Sequence, residues 1–290
     1  MSGLILQLLV TGLAMGAVYA LMSMGLLLLI RAIGVLNFAQ GDLFMFGAYI
    51  GWGLTNQAKL PLPGIVIALI PIFLIMAVIF MFGVYWPLRN SEWPTAIIIC
   101  TIGASSILTE SSRLIWGAQP MRLKPLIEGS LKIGTASIGY TFIITIAVGS
   151  LLIAGVFFLF ERFYAGRIMQ AAAQDKHAAE VMGIPTVLTT LATYFIVMTI
   201  AGTAGYMIAP AFFVSPTLSG FQARAFAGVI LGGWGSLKGS VIGSFIVGLI
   251  ESYAAIFTTT YRETIVFMVL IIVLLVRPQG FFGSKVSDKA

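Results

Sequence analysis

Eight stretches of this chain are apolar for the length of a membrane crossing or close to it, and no other feature constrains the fold as strongly. A crossing helix needs about 20 predominantly apolar residues. The candidates are Leu4–Ile30, Phe38–Leu54, Pro63–Trp86, Pro94–Trp116, Gly139–Phe160, Val187–Pro210, Gly239–Phe257 and Thr264–Val276. A ninth piece, Phe221–Gly235, is short for a crossing; its glycines and small residues suit a half-helix or a short span packed inside protein. Charged residues make up 9% of the 290, against roughly a quarter in a soluble protein. The expected fold is all-α, a polytopic transmembrane helix bundle of about eight to nine segments, one of them short or broken. Residues 1–283 read as a single transmembrane domain and 284–290 as a polar tail.

One segment cannot be a span. Gly166 to Pro185 carries Arg167, Asp175, Lys176, His177 and Glu180, which are too costly to bury in hydrocarbon. It reads as a short alanine-rich helix held out in water for a partner, with Gly183 as its C′ cap and Pro185 as the stop beyond it. Placing this helix and the tail in the cytoplasm, with Phe221–Gly235 crossing, puts Arg31, Arg89, Arg162, Arg167, Lys176, Lys238, Arg277, Lys285 and Lys289 inside, and the N-terminus outside. Lys59, Arg122, Lys124, Lys132, Arg224 and Arg262 then fall outside or near the outer surface, a modest positive-inside bias. No positive region precedes the first apolar stretch, so that stretch is expected to be retained as a span. The net charge of +6 is scattered without a basic run, which argues against nucleic acid as a partner.

Glycines four apart recur at Gly12 and Gly16, Gly47 and Gly51, Gly228 and Gly232, and Gly239 and Gly243. Such pairs let helix backbones approach closely. Residues 39–54 and 236–252 share a polar-glycine start followed by a glycine-punctuated apolar helix, an echo that suggests an inverted repeat.

Polar residues inside apolar segments are the functional candidates. Asn37 and Gln40 stand three apart, the spacing of an N-cap and its capping-box partner. Asp42 would then lie more than a turn inside the helix and must face protein interior, water or a cation. Glu110 and Arg113 can pair on one face of their span. Glu251 has no basic residue three or four positions away and needs a partner from another helix, water or a neutral form. Asn37, Gln40, Asp42 and Glu251 are the candidates for a substrate path. The run Leu231 to Ser240 imitates a phosphate loop, but its order is Lys-Gly-Ser and no strand precedes it, so it reads as a tight turn. His177 is the sole histidine and Cys100 the sole cysteine. No metal site, cofactor site or catalytic constellation is expected, and the chain does not read as an enzyme.

Several of these runs are familiar. Gly16 to Leu21, Gly34 to Asp42 and Gly47 to Tyr49 resemble the start of LivH-like permeases of branched-chain amino-acid ABC importers. Gln40 and Asp42 stand where that family often has His and Glu. Trp86 to Arg89, Thr101 to Gly103, Ala227 to Ser236 and Val276 to Gly283 resemble its later signatures. The 166–185 segment resembles its cytoplasmic coupling segment, with Asp175, Ala179, Gly183 and Ile184 in matching places. The resemblance implies a multi-pass subunit in a prokaryotic cell membrane, forming the translocation path for branched-chain or other amino acids or similar small polar solutes. It implies a second, paralogous permease, two ATP-binding-cassette subunits that bind the ATP, and an external solute-binding protein. Arg167, Gln174, Asp175, Glu180 and Gly183 would couple to the ATPase. The rival reading is a self-sufficient channel or secondary transporter that uses Asp42 and Glu251.

Overall fold

The computed structural model describes residues 2–34, 36–89, 91, 93, 95–258 and 260–283. The polar tail at 284–290, with Lys285 and Lys289, lies outside the described residues. The chain is a polytopic helical membrane bundle. Its helices are α1 (Ser2–Ile33), α2 (Gln40–Trp52), α3 (Leu62–Phe80), α4 (Thr95–Trp116), α5 (Tyr140–Arg162), α6 (Tyr164–Gln174), α7 (Lys176–Val181), α8 (Thr186–Phe212), α9 (Phe221–Gly232), α10 (Leu237–Ala254) and α11 (Arg262–Val276). Six are long and apolar enough to cross a bilayer: α1, α3 with its extension to Leu88, α4, α5, α8 and α10. The shorter α2, α9 and α11 pack among them.

The centre is α1, whose middle is buried on every side from Ala14 to Leu29. It lies against α10, α8, α5 and α9. All four glycine pairs sit at helix contacts. Gly12 and Gly16 receive Leu249 and Phe245 of α10, Gly47 meets Gly202 of α8, and Gly51 meets Tyr206. Gly228 and Gly232 face Ser244 and Gly239, and Gly243 returns the contact from α10. A Cβ at Gly16 would come within 2.8 Å of the Phe245 Cα, so only glycine admits the neighbouring helix there.

The chain has two ends. At one, β1 (Ser130–Ile133) and β2 (Ala136–Gly139) form an antiparallel hairpin around Gly134, whose φ of +59° suits a two-residue turn. This end also holds the start of α1, since Gly3 abuts Thr135. At the other end stand α6, α7, the 233–236 turn and the close of α1, where Arg31 Nη2 donates to the Gly235 carbonyl at 2.5 Å. Residues 277–283 fold back onto that turn, with Phe281 and Phe282 donating to the Leu231 and Gly232 carbonyls at 2.9 and 3.0 Å. They satisfy acceptors that the end of α9 leaves open.

The 166–185 segment is not one helix but two. Asp175 adopts an extended backbone (φ −148°, ψ 103°) between α6 and α7, and its Oδ1 caps α7 by accepting from Ala178 N at 2.9 Å. The cap at Gly183 is as expected: φ is +80°, and Ile184 N donates to Ala179 O at 2.9 Å in a Schellman-type arrangement.

Candidate functional site

Two short helices begin beside each other in the middle of the bundle. α1 ends at Ile33, the chain turns back, and α2 starts only at Gln40, abreast of Gly25 of α1. α8 ends at Phe212, the chain passes through a 3-10 turn at Pro216–Gly220, and α9 starts at Phe221. The starts touch: Gln222 Oε1 accepts from Gly41 N at 2.6 Å, Gln222 Nε2 lies 3.4 Å from the Asn37 carbonyl, and the Phe44 and Phe221 rings stack at 5.3 Å. From this joint α2 runs toward the hairpin end, where Trp52 Nε1 and Asn56 Nδ2 both donate to Arg122 O. α9 runs the other way, to the 233–236 turn. The pairs α1–α2 and α8–α9 are thus inverted counterparts, whereas the sequence echo had matched α2 with the α10 segment.

The capping reading of Asn37 does not hold. Ala39 occupies the N-cap position of α2 and has no side-chain acceptor, while Asn37 Oδ1 accepts from Ala39 N at 3.0 Å in an Asx turn. Gln40 is therefore the first helical residue, and Asp42 lies in the first turn rather than beyond it. There the helix dipole favours a negative charge, by about 0.3–1 kcal/mol for a carboxylate. Asp42 is 1% exposed. Thr109 donates to its Oδ1 at 2.6 Å and Ser105 to its Oδ2 at 2.5 Å, both from one face of α4. No ion pair to Asp42 is present among the described residues. Asn37 Nδ2 and both amide atoms of Gln40 are buried without a partner. A cavity of about 390 Å³ opens at this joint, with Asn37, Asp42, Ser105, Ser219 and Gln222 as its polar wall. Leu26, Leu36, Phe38 and Phe226 supply its apolar wall.

Glu251 stands apart from that group. It is held by Arg224 of α9 at 3.3 Å and Arg262 of α11 at 3.7 Å, and it accepts a hydrogen bond from the Tyr19 hydroxyl of α1. Arg224 also pairs with Glu263 and lies over the Phe221 ring at 5.0 Å. This knot ties four helices together. Glu110 and Arg113 pair at 2.9 Å on the outward face of α4. At the far end Gln174 lines a second cavity of about 310 Å³ beneath α6, with Arg31 and Gln170. Arg167, Asp175 and Gly183 are exposed, and Glu180 accepts from Thr186 Oγ1 at 2.6 Å, which fastens α7 to α8. Val181 and Met182 are about four-fifths exposed, so α7 presents an apolar tip (76% and 81%).

Residues 8–274 match the family described as branched-chain amino acid transport system / permease component. The chain belongs to this permease family. Among similar proteins, the high-affinity branched-chain amino acid transport system permease protein BraD of Pseudomonas aeruginosa is 29% identical over 300 residues, covering 98% of this chain and 97% of BraD. The corresponding LivH of Escherichia coli K12 is 30% identical over 306 residues, with the same coverage of each chain. A permease of Methanocaldococcus jannaschii, described as a probable LivH, is 26% identical over 91% of this chain and 88% of its own. PsaBC from Streptococcus pneumoniae, solved in complex with Fab, shares the fold at a TM-score of 0.51 and 15% identity, over 93% of this chain and 91% of that one.

In this permease the joint of α2 and α9 includes residues the sequence reading missed, namely Ser105, Thr109, Ser219 and Gln222. A signal for Gln222 was present: Gln222-Ala223-Arg224-Ala225-Phe226 repeats the order Gln40-Gly41-Asp42-Leu43-Phe44 with glutamine, charge and phenylalanine in register. Ser105 and Thr109 gave none, since hydroxyls four apart on a span ordinarily return to their own backbone. The permease joint offers hydrogen-bonding groups and one carboxylate, and the described residues show no group of three or more His, Cys, Asp or Glu placed to hold a metal.

Proposed function

We propose that this permease forms the transmembrane path of an ATP-driven importer for branched-chain or other small amino acids. The observation that carries the reading is the end-to-end match, residues 8–274, to permease components of branched-chain amino acid transport systems. ATP would be bound and hydrolysed by two ATP-binding-cassette subunits, solute delivered by an external binding protein, and the pore completed by a second, paralogous permease. The exposed tip of α7, together with Arg167 and Gln174 of α6 and with Asp175, Glu180 and Gly183, would receive the push of the ATPase pair. Its projection from the bundle supports this role, since α7 packs chiefly against α6 and α8. The path would run past Asn37, Gln40 and Asp42 at the joint of α2 and α9. Glu251, paired with two arginines, would act by holding α9 in place rather than by meeting solute. Rocking of the inverted units against each other would expose the joint to one side and then the other.

The test is a pull-down of the tagged protein from its native membrane in mild detergent, with mass spectrometry of what co-purifies. An ATP-binding-cassette subunit and a second permease are expected. Protein that emerges alone, and moves solute when reconstituted alone, is the result of a self-sufficient transporter and would overturn the reading.

A further inference from the structure

We infer that the cavity at the joint of α2 and α9 is itself a solute-recognition site, in which Asp42 takes the free ammonium group of the solute. The inference rests on the amino-acid reading above and adds to it the group that reads the amine. Among the described residues, Asp42 is the sole ionisable one lining the cavity. Its carboxylate has about four acceptor sites, and the hydroxyls of Ser105 and Thr109 fill two of them. Hydroxyls orient a carboxylate but do not neutralise it, and an anion at membrane depth is tolerated best beside a cation. The described residues supply none, because Arg113, the cation on the same helix as those hydroxyls, is spent on Glu110.

The opposite need stands in the same wall. Asn37 Nδ2 is a donor with no acceptor, on a residue 1% exposed. A buried amide left so is costly, and a visiting carboxylate would relieve it. The rest of the lining is Leu26, Leu36, Phe38 and Phe226, which suits a short or branched apolar side chain. An acceptor without a cation, a donor without an acceptor and an apolar remainder together complement a zwitterion with an apolar side chain.

The experiment measures equilibrium binding to the purified importer complex in nanodiscs, without its binding protein. The probes are radiolabelled leucine and 4-methyl-2-oxopentanoate, the same skeleton with the amine replaced by a ketone. A charge-assisted hydrogen bond lost is worth about tenfold to a hundredfold in affinity. Wild-type complex is expected to prefer leucine by that margin, and methylammonium is expected to compete with leucine. Asp42→Asn, nearly the same shape, is expected to weaken leucine by a similar factor and to erase the preference between the two probes. Equal binding of both probes by wild type, or undiminished leucine binding by a monodisperse Asp42→Asn complex, overturns the inference. So does a wild-type complex that imports leucine with its binding protein yet shows no leucine binding of its own, an outcome that leaves the proposed function standing. A complex that imports no amino acid at all removes the functional reading itself.

Discussion

Arg224 and Glu251 are charges placed where a membrane bundle tolerates them only as a set. Their side chains are 9% and 4% exposed, and Tyr19, Arg262 and Glu263 complete the knot. Removing one member of a buried pair strands the other, which costs on the order of 3 kcal/mol, whereas replacing both with apolar groups is often neutral. Glu251→Leu should therefore lower the unfolding midpoint in detergent sharply, and Arg224→Met added to it should recover at least half the loss; a double variant no better than the single one would show that the pair is not what matters. Gln222 acts at the same scale. Its amide spans from α9 to the first turn of α2, so Gln222→Leu should speed hydrogen exchange at the amides of residues 41–43. Gln222→Glu keeps an acceptor for Gly41 N and should preserve their protection, because the cap needs the oxygen alone. Equal exchange in the two variants would remove Gln222 from that role. None of these partnerships was legible in the sequence. Glu251 announced that it needed a partner, but Arg224 lies 27 positions away, and only the packing of α9 on α10 brings them together.

Elements were more legible than residues, and the exceptions have local causes. Six of the eight candidate spans correspond to helices long and apolar enough to cross, because hydropathy accumulates over twenty residues and survives errors at the ends, whereas Phe38–Leu54 forms the 13-residue α2 and Thr264–Val276 the 15-residue α11. The break at Asp175 was hidden because alanines flank it on both sides and alanine favours helix in every register. Asn37 suggested a cap by spacing alone, yet its side chain reached the amide two residues on, a competition that asparagine enters readily. At Gly183 the inference succeeded because a C′ residue with positive φ leaves few choices besides glycine. No neighbour lies within 4 Å of where its Cβ would be, so substitution there probes backbone conformation and nothing else. Gly183→Ala should strain the end of α7 by about 1–2 kcal/mol and reduce ATP-driven uptake at equal membrane abundance. Gly183→Asn, which accepts the left-handed region more easily, should retain most of it. Uptake that ranks alanine with wild type and above asparagine would mean that the cap geometry does not serve coupling.

At the scale of the whole molecule the two ends differ in charge, and the difference predicts how the protein sits in its membrane. α1 leaves the hairpin end and finishes beside the 233–236 turn, and α8 starts where α1 finishes, since Thr193 shares a cavity with Leu28 and Arg31. α3 runs against α8, with Phe73 at Gly202 and Tyr85 beside Tyr194, so Arg89 joins the same end. The fold therefore collects Arg31, Arg89, Arg162, Arg167, Lys176, Lys238 and Arg277 at the end of α6 and α7, and leaves Lys59, Arg113, Arg122, Lys124, Lys132 and Arg262 toward the hairpin end. The excess is small, but the rule that weighs Lys and Arg near span ends assigns the richer end to the cytoplasm. The coupling role proposed for α7 requires the same, because a helix that meets an ATPase must lie where ATP is. Cys100 is the only native thiol, so single-cysteine reporters are simple to build on a Cys100→Ser background. Val181→Cys at the tip of α7 and Thr135→Cys in the hairpin mark the two ends. In intact cells a membrane-impermeant maleimide should label position 135 and spare 181, and in inverted vesicles the pattern should reverse. The opposite pattern would place α7 outside, away from ATP, and would remove both the orientation and the coupling role of that helix together.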